Sequence, residues 1–295
     1  MGGSEVISPF SLHQPDAVEK ASAVLARHGG DARVLAGGSQ LVLLLKSGSA
    51  RPRHLVDVKR IARMSGVHFS ARTETLTVGS LVTYRALEAS PIVRERFPLL
   101  VEMARRIGNI RVRNVGTLGG NLCLAEPNSD PPTLLMAYKA RLTLGSSRGE
   151  RELDMEDFLV SSNRTALGND ELLLDIRVPA PAENCFGVYL RFCPLERPTV
   201  SVALTMEWKG RRSGEVRLVL GCVCPKPLRL FEIEERLSNQ SVDQILGQAA
   251  EAGQRAALVC NPSDDSWTSA RYKTHLAAIF VSRAISRVCE KLPYG

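Results

Sequence analysis

Residues 113–130, reading RNVGTLGGNLCLAEPNSD, constrain this chain more than any other stretch. Gly116, Gly119 and Gly120 flank Thr117 and precede Asn121. Glycine admits positive φ and lets another group come close to the backbone. The N–H groups freed in such a turn form an anion-binding concavity. Thr117 and Asn121 add side-chain donors, and Ser129 and Asp130 add a hydroxyl and a carboxylate. This combination suits a ligand with phosphate at one end and sugar hydroxyls at the other. A second turn of the same kind lies upstream, Ala36-Gly37-Gly38-Ser39-Gln40, directly after the apolar Val34-Leu35. Two such turns suggest one dinucleotide held from two sides. The residues alone leave another reading open, in which the glycines only shape tight turns.

Neither G-x-G-x-x-G nor G-x-x-x-x-G-K-[ST] occurs, which argues against a Rossmann crevice and a P-loop. The 295 residues are enough for one large or two ordinary domains. At 44% hydrophobic and 23% charged residues, the chain can bury a core. Apolar runs such as 41–45 and 276–281 fall far short of the roughly 18 residues of a membrane span, so none is expected. The opening MGGSEVISPF has neither a basic nor an apolar segment of a secretory signal. With seven cysteines and no such signal, reduced thiols and a cytoplasmic location are expected. Cys222-Val-Cys224 is the one close pair, read as two small hydrophobes sharing one face of a strand over 215–224. The net charge of +7 is dispersed, and aromatic residues make up only 5%, which disfavours nucleic acid as a partner. A basic face toward an acidic subunit or a phosphate-bearing cofactor fits better.

Apolar spacing predicts a helix over 15–28, stopped by Gly29-Gly30. A strand over 33–35 then enters the first glycine turn. A short helix over 40–46 follows, its N-terminus favouring negative charge beside that turn. Further strands are expected at 54–58, 67–70, 75–78, 141–145 and 172–178, and helices at 84–89, 97–107 and 134–138. After a proline-rich linker at 179–184 come strands at 188–192, 199–208 and 215–224. Helices at 229–237, 242–254 and 270–291 complete an α+β pattern.

Side-chain catalysis is poorly supported. None of His13, His28, His54, His68 and His275 belongs to a nucleophile or metalloprotease motif, so no catalytic or metal-binding residue is assigned. Asp264-Asp265 reads as a helix-capping loop. A cofactor then has to carry the chemistry.

The string Ile107-Gly108-Asn109-Ile110-Arg111-Val112-Arg113-Asn114-Val115-Gly116-Thr117-Leu118-Gly119-Gly120-Asn121, with Ala125, Pro127, Ser129 and Asp130 following, closely resembles the FAD-binding subunit of molybdenum hydroxylases. That family includes the medium subunit of aerobic carbon monoxide dehydrogenase and the flavin domain of xanthine dehydrogenase. Leu35-Ala36-Gly37-Gly38-Ser39-Gln40-Leu41, with Lys46 beyond, is similar to the family's first FAD motif. The resemblance runs from about Phe10 to about Arg287. It implies an α+β fold: a two-subdomain FAD-binding domain of the vanillyl-alcohol-oxidase-like type (1–57 and 58–180), then a C-terminal α+β domain (184–291) with a three-stranded sheet and helices.

By the same resemblance, residues 36–40 and 117–121 wrap the FAD pyrophosphate, Ile107 and Gly108 lie against the cofactor, and Asp130 accepts hydrogen bonds from the ribityl or ribose hydroxyls. Leu173 packs on the flavin side. Where the family carries an aromatic and a lysine near the isoalloxazine, this chain reads Tyr189-Leu190-Arg191, so Arg191 takes the lysine's place. A guanidinium is not equivalent to an ammonium. The run continues Phe192-Cys193-Pro194-Leu195-Glu196-Arg197, and the family's usual Asp is displaced, with Pro198 nearby. The implied role is electron transfer from [2Fe–2S] clusters on a small partner to an external acceptor. A large partner would hold the molybdenum cofactor, in a dimer of heterotrimers. The chain has no cysteine framework for a cluster of its own. Two other readings stay open: a free-standing FAD-dependent oxidoreductase with its own substrate, and a basic binding module without activity.

Overall fold

The parallel sheet at the start of the chain is built from two short crossovers. A computed structural model describes residues 7–194 and 197–292. Strands β1 (Ser11–His13), β2 (Ala32–Leu35) and β3 (His54–Asp57) lie in the order β1-β3-β2, all parallel. Parallel neighbours need a crossover, supplied by α1 (Val18–His28) and α2 (Leu41–Lys46). The apolar stripe of α1 places Val18, Ala21 and Leu25 in a small core with Ala32 and Val56. The first glycine turn follows the carboxyl end of β2, the end of a parallel sheet at which ligands bind.

The second sheet begins with the hairpin β4 (Val67–Ser70) and β5 (Thr75–Gly79). Helices α3 (Tyr84–Ala89), α4 (Pro91–Arg96), α5 (Pro98–Arg105), α6 (Ile110–Val115), α7 (Leu118–Leu124) and α8 (Asp130–Ala137) come next. Then β6 (Arg141–Ser146), β7 (Gly149–Asp154), α9 (Met155–Phe158) and a hairpin of β8 (Leu159–Ser161) and β9 (Arg164–Thr165) lead to β10 (Leu172–Pro179). The order is β4-β5-β10-β6-β7, with β10 antiparallel to both neighbours. Its two faces serve two cores. Leu172 and Leu174 join the small core of the first sheet, while Leu173, Ile176 and Val178 join the large core with α3, α5 and α8.

Residues 180–184 link to a third sheet, β11 (Cys185–Phe192), β12 (Val200–Lys209), β13 (Arg212–Gly221) and β14 (Leu228–Arg229), all antiparallel. Helices α10 (Phe231–Leu237), α11 (Val242–Val259) and α12 (Ala270–Cys289) cover it. The fold class is α+β. The expected three-stranded sheet has a fourth strand, the two-residue β14, too short to leave a periodic signal. Strand β13 ends at Gly221, and Cys222 turns out of it at φ +68°. Cys222 and Cys224 therefore do not share a strand face: Cys222 is buried and Cys224 half-buried.

Helix α8 joins the second and third sheets. Every residue from Asp130 to Ala137 is buried, as expected of a helix apolar on most sides. A Cβ at Gly221 would stand 1.9 Å from Thr133 Oγ1, so only glycine lets β13 come this close. The helix starts four residues before the expected 134 because Pro131 and Pro132 occupy its first turn, where a missing N–H costs nothing.

Candidate functional site

The fold brings the two glycine turns into contact. A Cβ at Gly37 would lie 1.8 Å from the Val115 carbonyl oxygen and 3.2 Å from Gly116 Cα. One at Gly116 would lie 3.4 Å from Ser39 Oγ, and one at Gly120 3.8 Å from the Ala36 Cβ. Stretches some 80 residues apart thus share one backbone-to-backbone contact. Gly38 sits at φ +73°, in the left-handed region. The N–H groups of Gly37, Gly38, Ser39 and Gln40 have no hydrogen-bond partner among the described residues. Successive free N–H groups of this kind suit an anion. Leu35 and Leu41 frame the turn as the last residue of β2 and the first of α2.

The second turn is held open from behind. Asn109 caps α6, its side chain accepting from Arg111 N and Val112 N. Arg113 donates to the carbonyls of Ile107 (3.2 Å) and Gly108 (3.1 Å), which pins that corner. Thr117 caps α7 by accepting from Gly120 N at 3.1 Å. Replacing Thr117 by Ala is therefore expected to cost about 0.5–2 kcal/mol of stability, measured by denaturant unfolding. Gly119 donates to Ser80 O, and Ser80 N donates to Leu174 O, so this turn is anchored on β10. Gly119 has a packing role: a Cβ there would meet Ser80 Cβ at 2.4 Å. Ser129 Oγ donates to Asn121 Oδ1 at 2.6 Å.

Two residues absent from the sequence reading lie behind this turn. Tyr84 N donates to Gly116 O, and Ser80 touches Gly119. Both are buried, yet Ser80 Oγ and Tyr84 Oη have no hydrogen-bond partner among the described residues. An unpaired buried hydroxyl costs about 1–3 kcal/mol, so each calls for a partner. No local motif marks them. An isolated bridge between Thr83 and Thr117 brings that segment to the turn. Exposed apolar side chains (Val42 and Leu43 on α2, Ile110 and Val115 on α6) rim the site.

Asp130 and Arg191, both expected at the cofactor, meet each other in the interior. Asp130 is 2% exposed. One of its oxygens accepts from Tyr189 Oη, and the other pairs with Arg191 Nη1 at 2.8 Å. Both oxygens thus have a partner inside the protein. Burial pushes the Asp130 carboxyl above its ordinary pKa, against the pull of Arg191, Tyr189 and Arg106. Arg191 also donates to Arg106 O at 2.7 Å. Its charge is met by Asp130. Leu173 is buried in β10 opposite Leu144, within the large core. Leu195 and Glu196 lie outside the described residues. Asp264 and Asp265 form the expected capping loop: Asp264 accepts from Ala270 N, and Asp265 from Trp267 N and Thr268 N. Lys273 pairs with Asp265 at 2.8 Å.

Two glycine turns in contact beyond the carboxyl end of a parallel sheet, one of them carrying four unpartnered N–H groups, have the features of a nucleotide-binding site. Residues 8–181 match the FAD binding domain in molybdopterin dehydrogenase, and residues 196–288 the CO dehydrogenase flavoprotein C-terminal domain. The chain belongs to the family of FAD-binding medium subunits of molybdenum hydroxylases. It is 33% identical to the carbon monoxide dehydrogenase medium chain of Hydrogenophaga pseudoflava over 279 residues, covering 94% of this chain and 96% of that one. It is 30% identical to the caffeine dehydrogenase subunit beta of a Pseudomonas strain, covering 96% of each. Carbon monoxide dehydrogenase from H. pseudoflava superposes with a TM-score of 0.91 at 31% identity, covering 98% of this chain and 100% of that one. FAD is the cofactor, and the chain is a subunit of an oxidoreductase. Among the described residues no helix is long and apolar enough to cross a membrane.

Proposed function

We propose that this chain is the flavin-bearing electron-transfer subunit of a molybdenum hydroxylase complex. It would take electrons from [2Fe–2S] clusters on a small subunit and pass them to an external acceptor. The contact of Gly37 with Val115 and Gly116, beside four unpaired N–H groups, carries this reading. Residues 36–40 would hold one side of the pyrophosphate, and Thr117, Gly120 and Asn121 the other. The unpaired hydroxyls of Ser80 and Tyr84 fit a polar ligand behind the second turn. Ile107 and Gly108 form the corner against which the cofactor would lie. Bound FAD would supply the capacity to accept and release electrons. The chain supplies its binding, its orientation and its surroundings.

The division into 1–57, 58–180 and 184–291 follows the three sheets and is part of the proposal. So are a large subunit with the molybdenum cofactor, a dimer of heterotrimers and a cytoplasmic location. The seven cysteines form no disulfide among the described residues, which suits a reducing compartment. The exposed apolar rim of α2 and α6 suits burial against a neighbour. The net charge of +7 would favour an acidic one. The substrate would be set on the large subunit.

The isolated chain is expected to be yellow and reducible by dithionite, yet to turn over no aldehyde, purine or heterocycle. Adding the molybdenum and iron–sulfur chains should restore substrate-dependent flavin reduction, less efficiently as salt rises. Steady turnover by the isolated chain would replace this reading with a free-standing oxidoreductase.

A further inference from the structure

We propose that His13, His28 and His54 form a three-imidazole site for a divalent first-row metal ion, zinc in the first place. Three of the chain's five histidines converge here from three elements: the end of β1, the end of α1 and the start of β3. One ligand nitrogen from each lies within 4.8 Å of the others. His13 Nε2 and His54 Nδ1 are 3.1 Å apart, and the rings of His28 and His54 stack at 3.6 Å between centroids. A tetrahedral zinc with bonds of about 2.0–2.1 Å spaces its ligand nitrogens about 3.3 Å apart. The His13–His54 pair already has that spacing, and His28, stacked on His54, has to turn its ring for a nitrogen to point at the same ion.

The chemistry suits such an ion. Imidazole is a ligand for zinc, nickel and copper, and three with one open position make a common zinc set. His28 ends an eleven-residue helix, where the last carbonyls favour positive charge. Each ring is half-buried, so an ion could enter from solvent. Arg27 and Arg53 adjoin the ligands in sequence and act against a cation; Asp31 is the nearby acid in sequence. No carboxylate belongs to the cluster, so binding should be weaker than at a thiolate site.

This site is separate from the flavin turns. His54 pairs in register with Ala32 at the amino ends of β3 and β2, and His13 with Val56 on the other side of β3, whereas the first glycine turn leaves the carboxyl end of β2, at Leu35. A metal there would tie β1, α1 and β3 together at the edge of the sheet away from β2.

The test uses the full chain, made without a polyhistidine tag, stripped with a chelator and dialysed against zinc. One zinc per chain is expected, and cobalt in its place should show the intense visible bands of tetrahedral Co(II). His28→Gln and His54→Gln should each weaken zinc binding by more than the roughly 100-fold that loss of an outer-shell partner can cost. His68→Gln and His275→Gln should bind as the parent does. Flavin content and circular dichroism report folding. If His54→Gln misfolds, His28→Gln, altered at a half-buried helix end, decides the matter. Substoichiometric zinc in the parent, or equal zinc in His28→Gln, would overturn the site and leave the rings a packing role.

Discussion

Gly37→Val is expected to strip the chain of its flavin. Even the first carbon of the new side chain would stand 1.8 Å from Val115 O and 2.8 Å from Val115 C. These are backbone atoms that cannot rotate away, so the two turns must separate. Residues 36–39 would then no longer sit against Val115, Gly116 and Gly120. Flavin retention should fall by about tenfold or more, since every 1.4 kcal/mol of lost binding is a factor of ten. Stability should fall by about 1–3 kcal/mol, the usual cost of overpacking. Gly30→Ala is the matched control, because a Cβ there meets nothing within 4 Å and its φ is ordinary. Absorbance of the bound flavin per chain reads the result. A Gly37→Val chain with a full complement of FAD would mean that the pyrophosphate is not held between these turns.

Arg191→Met should destabilise the fold by about 3–5 kcal/mol, because it leaves a buried carboxylate without its cation. Asp130 and the Arg191 side chain are 2% and 9% exposed, so water screens the pair little. The loss should depend on pH with a definite sign. Burial already holds the Asp130 pKa above its unfolded value, and Arg191 is the largest influence pulling it down. Without Arg191 it rises further. A carboxyl whose folded pKa is raised stabilises the fold below its unfolded pKa and loses that stabilisation as pH rises through the folded value. The deficit of Arg191→Met should therefore be smallest in acid, below the ordinary carboxylate range, and largest at neutrality. Urea unfolding across that range measures it. A deficit that does not change with pH would show that Asp130 does not respond to Arg191.

The glycine turns and most elements were legible in the chain because they rest on local rules. Apolar spacing at 18, 21 and 25 marks α1, and the turn after Leu35 needs a glycine at positive φ. The helices inside the second motif were not legible. In α6 and α7, six and seven residues long, asparagine and glycine hide the helical period. Their caps, Asn109 and Thr117, were visible as residues, but their partners exist only once the helices form. The start of α8 lies at Asp130-Pro131-Pro132, where proline favours the first turn of a helix, but the apolar spacing marked it only from 134.

The sequence by itself determined the positions of both glycine turns and the α+β order of elements. These depend on glycine's freedom, on proline's missing donor and on apolar periodicity, all of which act over a few residues. Only the tertiary structure decided that Asp130 faces Tyr189 and Arg191, that Ser80 and Tyr84 stand behind the second turn, and that three histidines share one corner of the first sheet. Those partners lie between 15 and 61 residues apart in the chain. Which side chain meets a buried carboxylate or an unpaired hydroxyl depends on how β10 and α8 are packed between their neighbours. Close packing and desolvation act through space, and no short window of sequence carries them.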